Sequence, residues 1–526
     1  SNTFISRREK KEEASEPEQL TMTNPIMSYL HAKSNSTQKT EIDLWEDYVN
    51  QDILRTFQTE FIPPFIDGMK YKFPIRTALC KSEKAVEKPK LFDHKNIAFS
   101  YGKHKVVGQQ SVETDIKWSD NGSEEARLFI RELLMLIKYD ILQENGDLHN
   151  TDIIWFRPLS FKSSVREAFE EIWEKESKAI LGLSDNQLKC YTESEAPYYY
   201  FSEKNYLTSI ESVAVIDIGG GSTDIVYFEN GKPLLANSVH FGCDVLWGNG
   251  YNKLTNADDN GIYQRYKDVI RFRTTNLIEL NNDIIDLKRA KSTTKDIINF
   301  WINNNDETEI NAKLKKDYKP LFLYHYAAII FYLAEMFKSK GLQSPRTIIF
   351  SGNGSRYIDN YLAKGEDLNI LTQVILKGVF GDAINNLQII LPEYRKESTC
   401  YGGLFRRPDL ASPEGYAFIG VDNKRYQNAE IRVLKENFND SLCKELETQV
   451  MKLNEFYIEM LRLLSKRKLV DDINIEDIKT LISSNIDDAL KTDFQKEIVD
   501  KYDDDKILED SLFFLPIVDQ ILKLTR

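Results

Sequence analysis

Two apolar runs, residues 213–216 (Val-Ala-Val-Ile) and 225–228 (Ile-Val-Tyr-Phe), flank a polar core of Asp217, three glycines, Ser222, Thr223 and Asp224. Short continuous apolar runs bounded by turn residues read as buried strands, so this stretch predicts a tight hairpin. Elsewhere the apolar positions recur at helical spacing. Ser123 is a predicted N-cap for a helix whose inward stripe is Ala126, Phe129, Ile130, Leu133, Ile137 and Ile141, stopping near Gly146. Residues 152–156 read as a buried strand ending at Pro158, and Ser164 with Glu167 forms a capping box for a helix that buries Phe169, Ile172, Trp173 and Ile180. Short β-like runs dominate 73–114. A mostly helical stretch follows at about 260–340, and its last helix, 320–340, opens on a proline and is followed by Gly341. A buried strand at 347–350 then leads into Ser351-Gly352-Asn353-Gly354-Ser355-Arg356, the order strand, glycine turn, helix start. Residues 427–526 are helix-rich, with Leu446, Val450, Leu453, Tyr457, Leu461 and Leu464 on one stripe that reads as core. The alternation of strands and helices predicts an α/β fold.

The length of 526 residues allows several cores. A net charge of −13 argues against a broad nucleic-acid surface, which needs clustered Lys and Arg. No apolar run approaches the ~20 residues of a membrane span, and no signal-peptide pattern opens the chain, so no membrane partner is expected. The five cysteines are scattered and never spaced C-x-x-C, which fits buried thiols in a reducing cytoplasm. The six histidines form no i, i+4 pair, so a metal cage built from side chains is not expected. The charged run at 7–13 reads as a solvated arm, and Asp503-Asp504-Asp505 lacks the glycine and spacing of a calcium loop.

The chemistry concentrates in the hairpin. Three successive glycines let backbone N–H groups approach an anion without side-chain obstruction. Asp217, at the end of its strand, is placed to hold a metal-bound water, and Asp224 to orient the same shell. The result is a phosphate clamp with a carboxylate at its mouth.

The string from Asp217 to Asp224 resembles the second phosphate-binding loop of the actin and DnaK-type chaperone ATPase superfamily. Further segments resemble that superfamily in the same order. Thr192-Glu193-Ser194-Glu195-Ala196-Pro197 resembles its connecting segment, and Phe241-Gly242-Cys243-Asp244 the Gly-Gly-x-Asp element after the phosphate hairpin. Phe350 to Arg356 resembles the adenosine loop, and Tyr401-Gly402-Gly403-Leu404 the closing helix. The resemblance covers about residues 60–410. It implies a two-lobed actin-like ATPase fold, each lobe a five-stranded mixed sheet with helices, closing on Mg-ATP. Its lobes would be 1–205 and 206–410, the second with a helical subdomain at about 250–320, followed by a mainly helical region at 411–526.

The resemblance also implies roles. Asp217 would orient or help deprotonate the attacking water, with Asp224 supporting Mg²⁺ through water. Glu193 would be the connecting-segment carboxylate, with Glu195 in its place under a shifted register. Backbone N–H groups of Gly219, Gly220 and Gly221, with Ser222 and the Thr223 hydroxyl, would hold the phosphates of ATP or ADP. Gly352, Asn353, Gly354, Ser355 and Arg356 would line adenine and ribose. Lys117 resembles the chaperone-type lysine that reaches the γ-phosphate. Arg289-Ala290-Lys291 resembles the adenine-clamping helix, but Lys288 and Ser292 depart from its pattern, and a solvated basic helix face is the reading those departures favour.

The superfamily's first phosphate loop, Asp-x-Gly-Thr/Ser, is not intact in this sequence: Ser1-Asn2-Thr3-Phe4-Ile5 resembles the tail of such a run, as in a chain trimmed from a longer one, whereas true absence of the loop would leave hydrolysis weak or absent. Phe418-Ile419-Gly420-Val421-Asp422 resembles the preceding strand but continues as Asn423-Lys424. The expected function is a cytoplasmic DnaK-like switch that hydrolyses ATP and acts on a protein partner. Only helices are predicted after residue 410, with no peptide-binding β-sandwich, which favours a specialised partner. The alternative is a non-catalytic nucleotide-binding scaffold or a filament-forming actin-like protein. A small-molecule kinase would need a base for an acceptor hydroxyl, and none is identified.

Overall fold

The computed structural model describes residues 2–10, 15–20, 75–77, 79–82, 90–91, 110–113, 116, 123–159, 163–247, 262, 314–381, 386–393, 395–406, 413–470 and 473–525. These fall into two compact units. The first lies within Ser1–Ala196 and Cys400–Phe405, the second within Pro197–Thr274, Trp301–Thr399 and Arg406–Arg526.

In the first unit, helix α1 (Ser123–Gln143) packs on α2 (Ser163–Leu181), as the two apolar stripes require. Ala126, Phe129, Ile130 and Leu133 share one core with Trp155, Trp173 and Ile180, and Trp155 stacks on Trp173 at 5.2 Å. Glu124 and Glu125 in the first turn of α1 face the positive end of its dipole. Strands β1 (Ile153–Arg157) and β2 (Leu188–Thr192) pair in parallel from Ile153↔Leu188 to Arg157↔Thr192, with α2 as the crossover. A separate three-stranded sheet has Leu79–Ser82 between Lys90–Leu91 and Gln110–Glu113. A five-stranded sheet is not assembled among the described residues of this unit. The Gly402-Gly403 pair passes so close to its neighbours that a Cβ would stand 1.8 Å from the Ala196 carbonyl oxygen at one position and 2.3 Å from the Phe156 ring at the other. Only glycine fits such an approach.

The second unit is built on a mixed sheet of β3 (Ser212–Ile218), β4 (Thr223–Glu229), β5 (Lys232–Val239), β6 (Thr347–Ser351), β7 (Gln388–Ile390) and β8 (Glu414–Gly415), in the order β7-β6-β3-β4-β5-β8. The predicted hairpin is the antiparallel pair β3/β4, while β6 and β7 join β3 in parallel. The two-residue β8 pairs with β5 and brings the sheet to six strands rather than five. β3 is buried on both faces, so residues 213–216 form a continuous apolar run rather than an alternating one.

Helix α3 (Lys319–Ser339) crosses this core and is apolar all round. It is 21 residues long and apolar enough to span a bilayer by length and composition, which corrects the expectation of no such run; 94% of its apolar window is buried inside the unit. Its polar groups find internal partners: Tyr324 donates to Asn454 Oδ1, Tyr332 to the Phe418 carbonyl, and Tyr326 shares a hydrogen bond with Thr372. Helices α4 (Gly365–Phe380) and α5 (Cys443–Lys466) pack on α3. All six stripe residues of α5, from Leu446 to Leu464, are buried. Helices α6 (Ile475–Ser483), α7 (Ile486–Phe494) and α8 (Phe514–Leu524) complete the C-terminal part, which packs into the second unit.

Candidate functional site

Four residues on four neighbouring strands share one rung of the sheet. Ser351 (β6) is the register partner of Asp217 (β3), Asp217 of Asp224 (β4), and Asp224 of Ser238 (β5). Register partners project from the same face of a sheet, so the row presents hydroxyl, carboxylate, carboxylate, hydroxyl. Ser351 Oγ donates to Asp217 Oδ2 at 2.8 Å, and Ser238 Oγ donates to Asp224 Oδ1 at 2.5 Å. Both carboxylates are buried, at 7% and 6% exposure. Two buried acids side by side repel unless a positive charge or shared hydrogen bonds compensate. Here each carboxylate accepts from a serine on its own rung and has further contacts besides.

Three glycine turns pack backbone against backbone around the row. Gly219 N–H closes the hairpin on Ser222 O at 2.8 Å. The N–H groups of Gly220 and Gly221, at the tip, make no hydrogen bond to any described residue. Behind the tip, Cys243 N–H donates to Gly219 O at 3.1 Å and Asp244 N–H to Gly220 O at 2.8 Å. A Cβ on Gly242 would stand 2.2 Å from Gly220 O, and one on Gly220 would stand 2.8 Å from an Asp244 carboxylate oxygen. On the other side Gly352, at φ +74°, has no room for a Cβ, which would meet Ile218 O at 2.3 Å and Asp217 Oδ1 at 2.5 Å. A Cβ on Gly354 would meet Gly219 O at 2.4 Å. Gly242, Gly352 and Gly354 thus form one close-packed cluster with the hairpin, and each of the three is required by a neighbouring backbone.

The cluster is braced from behind by His325 of α3. The ring is fully buried and stacks on Phe241 at 4.6 Å. Nε2 donates to the Gly242 carbonyl at 3.1 Å and Nδ1 accepts from the Tyr357 hydroxyl at 2.8 Å, which defines a neutral imidazole with its proton on Nε2. Burial pushes its pKa down to about 3, against the weaker opposing pull of the Gly242 carbonyl. Thr223 donates its hydroxyl to the Phe241 carbonyl at 2.6 Å, so that proton ties the hairpin to the Phe241–Asp244 turn.

The remaining predicted residues fall as follows. Gly352, Asn353, Gly354 and Ser355 form the turn beside Asp217; the Ser355 hydroxyl closes it on Gly352 O at 2.8 Å, and Arg356 is exposed just beyond. Glu193 belongs to the first unit, half-buried, its N–H donating to Arg157 O. Glu195 is buried and accepts from the Thr192 N–H and hydroxyl, closing its own turn. Lys117 and Lys291 lie outside the described residues. Among the described residues no group of three or more His, Cys, Asp or Glu side chains is arranged to hold a metal ion. A divalent ion at the row would accordingly take most of its shell from water and phosphate oxygens, as Mg²⁺ does. Sequence reasoning missed Ser351, Ser238 and His325. The two serines carry a usable signal once the strand register is known; His325 sits in an apolar helix and carries none.

No family model and no curated protein matches the chain. Among solved structures it is similar to MreB5 of Spiroplasma citri bound to ADP, at 13% identity and a TM-score of 0.30, over 62% of this chain and 86% of that one. The same protein bound to AMPPNP overlaps at 14% identity and a TM-score of 0.30, over 63% and 88%. The ethanolamine utilization protein EutJ from Carboxydothermus hydrogenoformans overlaps at 15% identity and a TM-score of 0.28, over 57% and 81%. Overlaps at this level do not decide what the chain does.

Proposed function

We propose that the second unit binds ATP with Mg²⁺ at the glycine cluster, hydrolyses it, and uses the change as a conformational switch acting on a protein partner in the cytoplasm. The observation that carries this is the rung Ser351–Asp217–Asp224–Ser238 set beneath a hairpin tip whose Gly220 and Gly221 N–H groups are available to an anion. Donors for phosphate and buried acids for a cation are the two halves of a Mg-nucleotide site. When bound, Mg²⁺ neutralises charge on the β- and γ-phosphates.

The chain's own residues supply the rest. Gly220 and Gly221 bind phosphate oxygens through backbone N–H groups that are already held in place, so little reorganisation is needed as charge develops. Asp217 holds the attacking water and accepts its proton, with its other oxygen fixed by Ser351. Asp224, held by Ser238, would help hold the ion through its water shell. The Gly352–Ser355 turn, whose glycines pack on the backbone of Ile218 and Gly219, would line the nucleoside. Glu193 and Lys117 carry over from the resemblance alone, and their substitution tests whether they act on the same nucleotide.

Calorimetry of the full chain with ATP and Mg²⁺, followed by phosphate release without added acceptor, tests this. Micromolar binding with slow release at constant specific activity supports the switch. Binding without release marks a scaffold, and a specific activity that rises steeply above a threshold protein concentration marks a filament-forming protein. Absence of binding at millimolar ATP overturns the site.

A further inference from the structure

The turn that backs the hairpin is also gripped by the C-terminal arm. His240, the residue after β5, donates its N–H to Asp510 Oδ1 at 3.2 Å, and its Nδ1 lies 2.6 Å from Asp510 Oδ2. Next in sequence, Phe241 stacks on His325 at 4.6 Å and 18° and on Phe514 at 4.3 Å and 21°. One face of a phenyl ring has no room for two coplanar rings, so His325 and Phe514 lie on opposite faces of Phe241. The arm is fixed independently of this stack. Leu512 and Phe513 both donate N–H groups to Ile419 O, at 3.0 and 3.2 Å. Gly420, at φ +112°, gives Phe513 passage where a Cβ would stand 2.4 Å from it.

Phe241 is in turn tied to the hairpin by the Thr223 hydroxyl, and its two successors by the hydrogen bonds from Cys243 to Gly219 and from Asp244 to Gly220. A shift of the glycine tip therefore cannot occur without moving Phe241. Phe241 cannot move without disturbing its seat on Phe514, the first residue of α8, which packs against α6 and α7.

We propose that Phe514 is a positioning residue for the phosphate hairpin, and that nucleotide at the hairpin and the seating of the C-terminal arm are coupled through Phe241. This rests on the nucleotide site proposed above. Coupling between two sites is reciprocal, so an arm that stiffens the hairpin must itself be stiffened by what binds there. Loss of the ring leaves the N–H donors of Gly220 and Gly221 in the chain but frees them to wander, and a misplacement of about 1 Å costs up to about 10²-fold in a positioned site.

The test is Phe514→Ala in the full chain, with Phe514→Leu to keep bulk and Phe494→Ala as a control. Phe494 stacks on Phe438 in the same helical part and makes no ring contact with Phe241. For Phe514→Ala we expect Mg-ATP affinity to fall about tenfold, within the usual span of site-to-site coupling. Phe514→Leu should recover most of it and Phe494→Ala should leave it unchanged. In the unaltered chain, amide exchange over 512–524 should slow when Mg-ATP is added. If Phe514→Ala does not fold, His240→Ala, which removes the ring's contact with Asp510 Oδ2 and keeps the backbone N–H donation to Oδ1, should lower affinity in the same direction. ATP binding that is unaffected by both changes, or lost equally in Phe494→Ala, overturns the coupling while leaving the nucleotide site standing. Absence of any ATP binding by the unaltered chain overturns both.

Discussion

Ser351 and Asp217 come from strands far apart in sequence, yet the Ser351 hydroxyl donates to Asp217 Oδ2 at 2.8 Å inside the sheet. This contact holds one oxygen of the carboxylate that the proposed chemistry uses, and it depends on the parallel register of β3 and β6. A hydrogen bond to a charged group contributes about 1.5–3 kcal/mol net. Ser351→Ala should therefore lower the urea unfolding free energy by about 2 kcal/mol, and it should slow phosphate release more than it weakens ATP binding. Equilibrium unfolding and single-turnover kinetics on one sample check both parts.

Asp217→Asn keeps an oxygen able to accept from Ser351 but removes the charge and the proton acceptor. Phosphate release should fall by about 10²–10⁴-fold, the range for loss of a positioned base. ATP affinity should change far less. Unchanged release would remove Asp217 from the mechanism.

Two glycines of the cluster should answer oppositely to the same substitution. Gly242→Ala drives a Cβ to 2.2 Å from Gly220 O, where backbone has to move. It should cost about 1–3 kcal/mol or more, and ATP binding should be lost with it. Gly221→Ala meets nothing within 4 Å and should leave the melting temperature unchanged. Thermal unfolding of the pair distinguishes a packed cluster from an ordinary glycine-rich turn.

His325 predicts a pH dependence. Unfolded, an imidazole takes up its proton near its ordinary pKa of about 6.5; folded, His325 stays neutral until about pH 3. The unfolded state therefore binds the extra proton first, and stability falls as pH drops from about 6.5 toward 3, at up to about 1.4 kcal/mol per pH unit. Above about 6.5 this contribution is flat. His325→Gln should flatten the slope between pH 6.5 and 5.5, where most carboxylates stay ionised. Equal slopes in urea titrations of the two chains would show that His325 does not titrate on unfolding.

Much of the fold is legible in the chain because its signals are local. The stripe from Ala126 to Leu133 is read from a 3.6-residue period and appears in the α1–α2 core. The hairpin at 213–228 follows from two apolar runs around a glycine turn. By contrast α3 is apolar on every side, so its period says nothing about which side chains meet. The structure assigns its hydroxyls and His325 to partners on other elements.

The sequence by itself determined the hairpin, the residues at its mouth and the order of the glycine turns, because strand runs, turn glycines and helix caps act over a few residues. Only the tertiary structure decided that Ser351, Asp217, Asp224 and Ser238 share a rung. It also decided that Gly242 lies on Gly220 and that Phe241 sits between His325 and Phe514. Register and close packing join residues that no local preference connects. A shift of one residue in β6 would turn Ser351 to the opposite face and leave Asp217 without that donor.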